Sequence, residues 1–213
     1  MEARKSYGQF CALALALDHI GDRWTLLVVR ELLIAPRSFR ELRRALPGLS
    51  PNLLVQRLRT LMQDGLVLRN EAPIKSKSVI FQLTEAGLVL EPAVLELIRW
   101  GSRWMASGPG ADHVDPAWSI LALRALLDGT PVTPIAADNV HVNADGYWLT
   151  IQMRAGMRRV EAGLSGSPDA TVTARMPALL AVAAGLTALD AVDADIVGDG
   201  SAAVTALTSL AAR

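Results

Sequence analysis

Cysteine is almost missing: Cys11 is the only one among 213 residues. That excludes a disulfide framework within the chain and fits a reducing compartment. Also missing is any uninterrupted apolar stretch near the roughly 20 residues that a bilayer-spanning helix needs. The run Phe10 to Leu17 follows Arg4 and Lys5 as the core of a signal peptide would, but it is short and leads into Asp18, Asp22 and Arg23. A soluble, cytoplasmic protein with no membrane partner is therefore expected. The three histidines, His19, His113 and His141, are scattered without metal-ligand spacing, and no Ser/His/Asp arrangement is suggested. Asp193, Asp195 and Asp199 begin like a calcium loop, yet the fifth and twelfth positions are Val197 and Val204, so these aspartates are read as strand-end and helix-cap residues. No Walker or dinucleotide-binding glycine motif is present. Neither a cofactor, a metal nor an enzymatic activity is expected.

Net charge is absent too, with 21 basic residues against 21 acidic ones. The balance hides a division. Residues 1–110 carry 15 Lys/Arg and 10 Asp/Glu, a net of +5, whereas residues 111–213 carry 6 and 11, a net of −5. The first half suits contact with phosphate and the second does not. A Gly/Pro stretch, Ser107-Gly108-Pro109-Gly110, separates them and predicts one domain over 1–107 and another over 112–213.

What the first half does contain is the order helix, turn, helix, strand, basic tip, strand. Ser38 and Glu41 form an S-x-x-E capping box, so a helix starts there, with Phe39, Leu42 and Leu46 on one stripe and Arg40, Arg43 and Arg44 off it. Pro47-Gly48 stops it. Ser50 followed by Pro51 is an N-cap with a first-turn proline, so a second helix begins almost at once. Its underside is Leu53/Leu54, Leu58 and Leu61/Met62, and its opposite face carries Asn52, Val55, Gln56, Arg59 and Gln63. Two strands follow, Leu66 to Arg69 and Val79 to Leu83, joined by a loop with Pro73, Lys75 and Lys77. This is the pattern of a winged helix-turn-helix, a device for laying one helix in the major groove of double-stranded DNA. Asn52 and Gln56 suit adenine edges and Arg59 suits guanine. Arg40, Arg43, Lys75 and Lys77 suit phosphates. Arg57 lies nearer the flank, where an internal ion pair is the alternative.

Upstream, Cys11 to Ile20 reads as an apolar helix, and Asp22 as the cap of another whose Trp24, Leu27, Val28 and Leu32 share a face while Glu31 lies off it. Downstream, Thr84-Glu85 caps a long helix to about Met105 that carries more apolar surface (Leu97, Trp100, Trp104, Met105) than a small core needs. A second copy of the chain is the expected cover, with the second domain as the alternative.

The second half reads as a helix over Pro116 to Leu127, then strands Asn139 to Asn143, Tyr147 to Arg154 and Arg158 to Leu164 around an Asp-Gly and an Ala-Gly turn. A strand at Ala170 to Arg175, a helix from Pro177, a last strand at Asp195 to Val197 and a helix capped by Ser201 complete it. The fold class is α+β: a winged helix-turn-helix followed by an antiparallel sheet with helices on one face.

Several segments together resemble the HxlR family of MarR-like winged-helix regulators. They are C-A-L-A-L-A-L-D-H-I-G-D-R-W-T-L-L-V-V-R-E-L-L (Cys11 to Leu33), R-S-F-R-E-L-R-R-A-L-P-G-L-S-P-N-L-L-V-Q-R-L-R (Arg37 to Arg59), D-G-L-V (Asp64 to Val67) and F-Q-L-T-E-A-G (Phe81 to Gly87). The resemblance covers about residues 7–106. It implies a dimeric transcription regulator on a palindromic operator, with Ser38, Arg40, Ser50, Asn52, Gln56, Arg57 and Arg59 facing DNA and Lys75 and Lys77 in the wing. It also implies that Cys11 senses oxidants or electrophiles, against which the apolar surroundings of Cys11 argue for a buried core thiol. D-A-T-V-T-A, M-P-A-L-L-A-V-A-A-G and D-A-D-I-V-G-D-G-S-A-A-V-T-A-L (within residues 169–207) resemble the sterol-carrier-protein lipid-binding fold. That resemblance implies a cavity for a small apolar ligand, lined by Trp118, Leu121, Tyr147, Leu149, Ile151, Met153, Met176 and Leu180, or else an ordinary core of the same residues. The expected function is a sequence-specific regulator responsive to such a ligand or to oxidation. The alternative is a small-molecule carrier that uses its winged helix only to dimerise.

Overall fold

Three helix starts in the N-terminal half, at Ser38, Ser50 and Thr84, follow from short polar side chains that accept otherwise unpaired backbone N–H groups. The computed structural model describes residues 6–71, 79–105, 110–132 and 137–208. They fall into two compact units, Met1–Val94 and Leu95–Arg213.

In the first unit α1 spans Ala12–Ile20 and α2 Thr25–Ile34. Asp22 does not cap α2 as expected. The chain turns instead through Trp24, whose φ of 80° lies in the left-handed region, and the Thr25 N–H donates to the Asp22 carbonyl at 3.1 Å. The inner face of α2 is also rotated from the expected stripe: Val28, Val29, Leu32 and Leu33 are buried, while Leu27 is exposed. Glu31, expected off the face, is fully buried, with Arg30 on one carboxylate oxygen (2.7 Å) and Arg37 on the other (3.1 Å).

A two-residue strand, β1 at Arg37–Ser38, precedes α3 (Phe39–Ala45) and α4 (Pro51–Gln63), which are followed by β2 (Val67–Glu71) and β3 (Val79–Leu83). The sheet order is β1-β3-β2, antiparallel throughout. Leu42, Leu46, Leu54, Leu58, Leu61, Val67 and Phe81 close the core between helices and sheet. The long helix expected from Thr84 is two pieces, α5 (Glu85–Leu88) and α6 (Glu91–Ser102). Pro92 explains the break, since it has no N–H to bond the Leu88 carbonyl four residues back. Gly87 lets α5 lie close on the chain just before β2: a Cβ there would stand 2.2 Å from the Leu66 carbonyl oxygen.

In the second unit a 3₁₀ turn at Pro116–Trp118 leads into α7 (Ser119–Leu127). Strands β4 (Asn139–Ala144), β5 (Tyr147–Arg154), β6 (Met157–Ala162) and β7 (Ala170–Ala174) follow, then α8 (Met176–Ala183), β8 (Ala194–Gly198) and α9 (Gly200–Leu207). The sheet order is β6-β5-β4-β7-β8, and β4 pairs with β7 in parallel. The sheet is therefore mixed at its centre and antiparallel elsewhere, a correction to the fully antiparallel expectation. A parallel neighbour needs a crossover, which residues 163–169 supply by crossing the polar face. There the Thr150 hydroxyl donates to the Gly163 carbonyl (2.9 Å) and Gln152 Nε2 donates to Ser165 Oγ (3.2 Å). The other face is apolar, with Val140, Val142, Leu149, Ile151, Val160 and Val172 buried. Asp199, and not Ser201, caps α9, its Oδ1 accepting from the N–H groups of Ser201 (2.8 Å) and Ala202 (3.3 Å). Among the described residues no helix is long and apolar enough to cross a membrane.

Candidate nucleic-acid interface

The basic half presents its charge from α3 and α4, and local chemistry holds both helices. At α3 the Ser38 Oγ accepts from the Glu41 N–H at 3.3 Å, and Glu41 Oε2 accepts from the Ser38 N–H at 2.6 Å and from its hydroxyl at 2.7 Å. Those bonds, the Ser38 hydroxyl first and its backbone N–H second, hold the Glu41 carboxyl below the usual range. At α4 the Ser50 Oγ accepts from the Leu53 N–H at 3.3 Å. Ser38 and Ser50, expected to face DNA, thus use their hydroxyls to start helices. Any contact they make with DNA has to share those oxygens.

Along α4, Leu54, Leu58 and Leu61 are buried, while Asn52, Val55, Gln56, Arg59 and Gln63 are exposed. The eleven steps from Asn52 to Gln63 cover roughly 16 Å at the helical rise, three turns of one face. This is the stripe expected from the sequence. Arg40, Arg43 and Arg44 of α3 are exposed beside it in the same unit. Lys75 and Lys77 lie outside the described residues. Arg57 departs from the DNA-facing role that the resemblance implied: its side chain is only 12% exposed and its Nη1 is ion-paired with Asp22 Oδ2. The internal pair left open in the sequence is the one formed. At the other end of α4, Asp64 lies with its Oδ2 3.1 Å from His19 Nδ1.

Cys11, read as a core residue from its apolar neighbours, is exposed at the start of α1. Backbone N–H groups of Ala14 and then Leu13 pull its thiol below the ordinary value. Its neighbours are not core either: Phe10, Leu13, Leu15 and Leu17 are exposed, and in α1 only Ala14 is buried. In the second unit Leu97, Trp100, Trp104 and Met105 are exposed, with the two indoles 4.6 Å apart edge to face and Arg103 within 5.8 Å of both.

Of the expected ligand-lining residues, Leu121, Leu149, Ile151, Met153 and Met176 are buried, while Trp118, Tyr147 and Leu180 are half-buried. In α8 the inward leucine is Leu179 rather than Leu180. Reading the sequence missed two polar sites, the Glu31 cluster and Arg158, and did not name Asp22 as the partner of Arg57. Arg158 had a usable signal, since it lies two residues from Val160 and so shares the inward face of β6 with it. Its guanidinium is 3% exposed and donates to the hydroxyl of Thr130 (2.9 Å) and to the carbonyls of Pro131 (2.7 Å), Thr205 (2.6 Å) and Thr208 (2.7 Å).

Against known proteins, the model of the HxlR-like helix-turn-helix family matches residues 19–109, which contain α2 to α6 and the whole exposed stripe. An uncharacterised HTH-type transcriptional regulator of Bacillus subtilis (strain 168), YvaP, is 34% identical over 90 residues, 42% of this chain and 83% of that protein. The chain belongs to the HxlR-like helix-turn-helix family. Another relative, the HTH-type transcriptional regulator YodB of Bacillus subtilis (strain 168), is 31% identical over 93 residues, 44% of this chain and 83% of its own length. The solved reduced form of YodB is 29% identical, covers 47% of this chain and 99% of its own, and superimposes with a TM-score of 0.40. Like its HxlR-family relatives this chain is a DNA-binding transcriptional regulator and not an enzyme. The family match ends at residue 109 and leaves the mixed sheet and its helices outside it.

Proposed function

We propose that the chain dimerises and reads a palindromic operator with Asn52, Gln56 and Arg59, while Arg40 and Arg43 and the wing residues Lys75 and Lys77 hold phosphates. The observation that carries this reading is the exposed polar stripe of α4 over its buried leucines. Side chains turned outward by a buried underside are what base recognition requires. Dimerisation rests on the exposed apolar side chains of α1 and α6, which a second copy covers, and it multiplies a modest half-site affinity. Selecting duplexes from a random pool tests the reading: a palindromic site should emerge, bound with a steep loss of affinity as salt rises. If no duplex is retained at low ionic strength, the reading fails.

The signal enters, on this proposal, through the thiol of Cys11 or through a small apolar ligand in the second unit. The exposed, acidified thiol supports the first route, and the relative YodB has a quinone-bound form. For the second, the unit is read as a sterol-carrier-like fold, supported by the apolar sheet face roofed by α7 and α9. A ligand acts only if it binds one arrangement of the dimer better than another. Native mass spectrometry against fatty acids and sterols tests it, and release of selected DNA by a bound lipid is the expected outcome.

A further inference from the structure

Two polar contacts join the α1–α2 junction to the helix proposed to read DNA. His19, at the end of α1, lies 3.1 Å from Asp64, which caps α4. Asp22, in the turn before α2, pairs with Arg57 in the middle of α4. The two anchor points on α4 are seven residues apart, about two turns or roughly 10 Å. In both pairs the α4 partner is sheltered (Arg57 12% and Asp64 8% exposed) and the junction partner is half open (50% and 43%). The rest of the underside of α4 is leucine, and apolar contact is non-directional, so it resists lifting better than rolling. Charged hydrogen bonds do have direction. A roll would turn Asn52, Gln56 and Arg59 together away from their bases.

We infer that Asp22 and Arg57, supported by His19 and Asp64, are positioning residues: they fix the rotation of α4 and tie it to α1 without touching DNA themselves. This rests on the reading of α4 as the DNA-facing helix. It joins α1, whose Leu13, Leu15 and Leu17 are exposed, to a turn locked onto α4, so that seating of α1 on the proposed second copy would set how α4 is presented. Arg57 Nε is buried without an acceptor, so the guanidinium depends on Asp22 for its charge partner.

The test uses the full chain and the duplex that the wild-type protein selects from a random-sequence pool. Asp22→Asn and Arg57→Gln should each weaken that duplex roughly tenfold, as coupled pairs do. They should also lower the ratio of selected to random duplex affinity and leave the slope of log affinity against log salt unchanged. A phosphate contact would instead change that slope by about 0.9. The exchange Asp22→Arg with Arg57→Asp should recover much of the loss. Hydrogen exchange without DNA gives an independent readout, with the amides of α4 exchanging faster in Asp22→Asn than in wild type. The inference is overturned if Arg57→Gln flattens the salt slope while Asp22→Asn binds and exchanges like wild type. If Arg57→Gln does not fold, Arg57→Lys replaces it, with a milder loss of the same kind expected. If the wild type selects no duplex, the DNA reading falls, and exchange in α4 still decides whether the clamp exists.

Discussion

Gln56 stands exposed in the middle of the α4 stripe, between Asn52 and Arg59, with the Thr60 hydroxyl donating to its backbone carbonyl at 3.1 Å. Its substitution is the sharpest residue-level test. Gln56→Ala should cost about 1–3 kcal/mol, and at one base position only, measured against duplexes carrying each base there in turn. Lys77→Ala should behave differently, weakening all sequences alike and reducing the salt slope by about 0.9. For Cys11 the depressed thiol predicts alkylation by iodoacetamide that reaches half its plateau rate at a lower pH than in the same protein unfolded. At this scale the sequence was legible where a face decided the matter and illegible where a partner did. Periodicity placed Asn52, Gln56 and Arg59 outward, but it carries no information about a residue 35 positions away, so the mate of Arg57 stayed unknown. Glu31 was misread because an acidic residue beside a leucine stripe normally faces water, and only the fold brings Arg37 back over it.

The capping box of α3 makes an element-level prediction about pH. Glu41 has a lowered folded pKa, so its contribution is complete above the ordinary carboxylate value, near 4.3, and is lost as pH falls through the lower folded value. As pH falls through that lower folded value, protonation removes the charged acceptor of the Ser38 N–H, and the first turn of α3 should fray. Following the Ser38 amide by NMR against pH checks this, and Glu41→Gln should remove the transition. Capping signals were the most readable part of the chain because each is complete within four residues. Ser38, Ser50 and Thr84 all cap where expected, whereas Asp22 does not, since Arg57 holds its carboxylate and the backbone enters α2 through Trp24. The uninterrupted helix after Thr84 failed for a reason that was visible: Pro92 sits about two turns in, and its missing N–H outweighs the continuous apolar pattern. Strand positions in the second unit followed from alternation and turn residues, but pairing direction did not. Nothing in the residues of β7 says that it lies beside β4 rather than β6.

For the whole molecule, the expected partner of the apolar side chains on α1 and α6 is a second copy. Leu13→Glu and Trp100→Glu should each shift the protein toward monomer in sedimentation, and the monomer should bind a half-site but lose the advantage of the full palindrome. The division of charge, +5 in residues 1–110 and −5 in residues 111–213, places attraction for phosphate on the family-matched part of the chain. The remainder repels it, so extra nonspecific affinity from the second unit is not expected.

Arg158 gives the tail of this chain an unexpected weight. Its guanidinium, pushed below the ordinary arginine pKa by burial, is held by the Thr130 hydroxyl and three peptide carbonyls, of which those of Thr205 and Thr208 belong to the last turn of α9 and its C-cap. A premature stop codon after Val204 would remove both of those C-terminal acceptors, a penalty for a buried cation left with only the Thr130 hydroxyl and the Pro131 carbonyl. That penalty is of the order of 3–5 kcal/mol for an uncompensated buried charge, a large share of the stability of a domain this size. Reading frames that stop before Thr205 should therefore yield insoluble product, measured as the soluble fraction on expression.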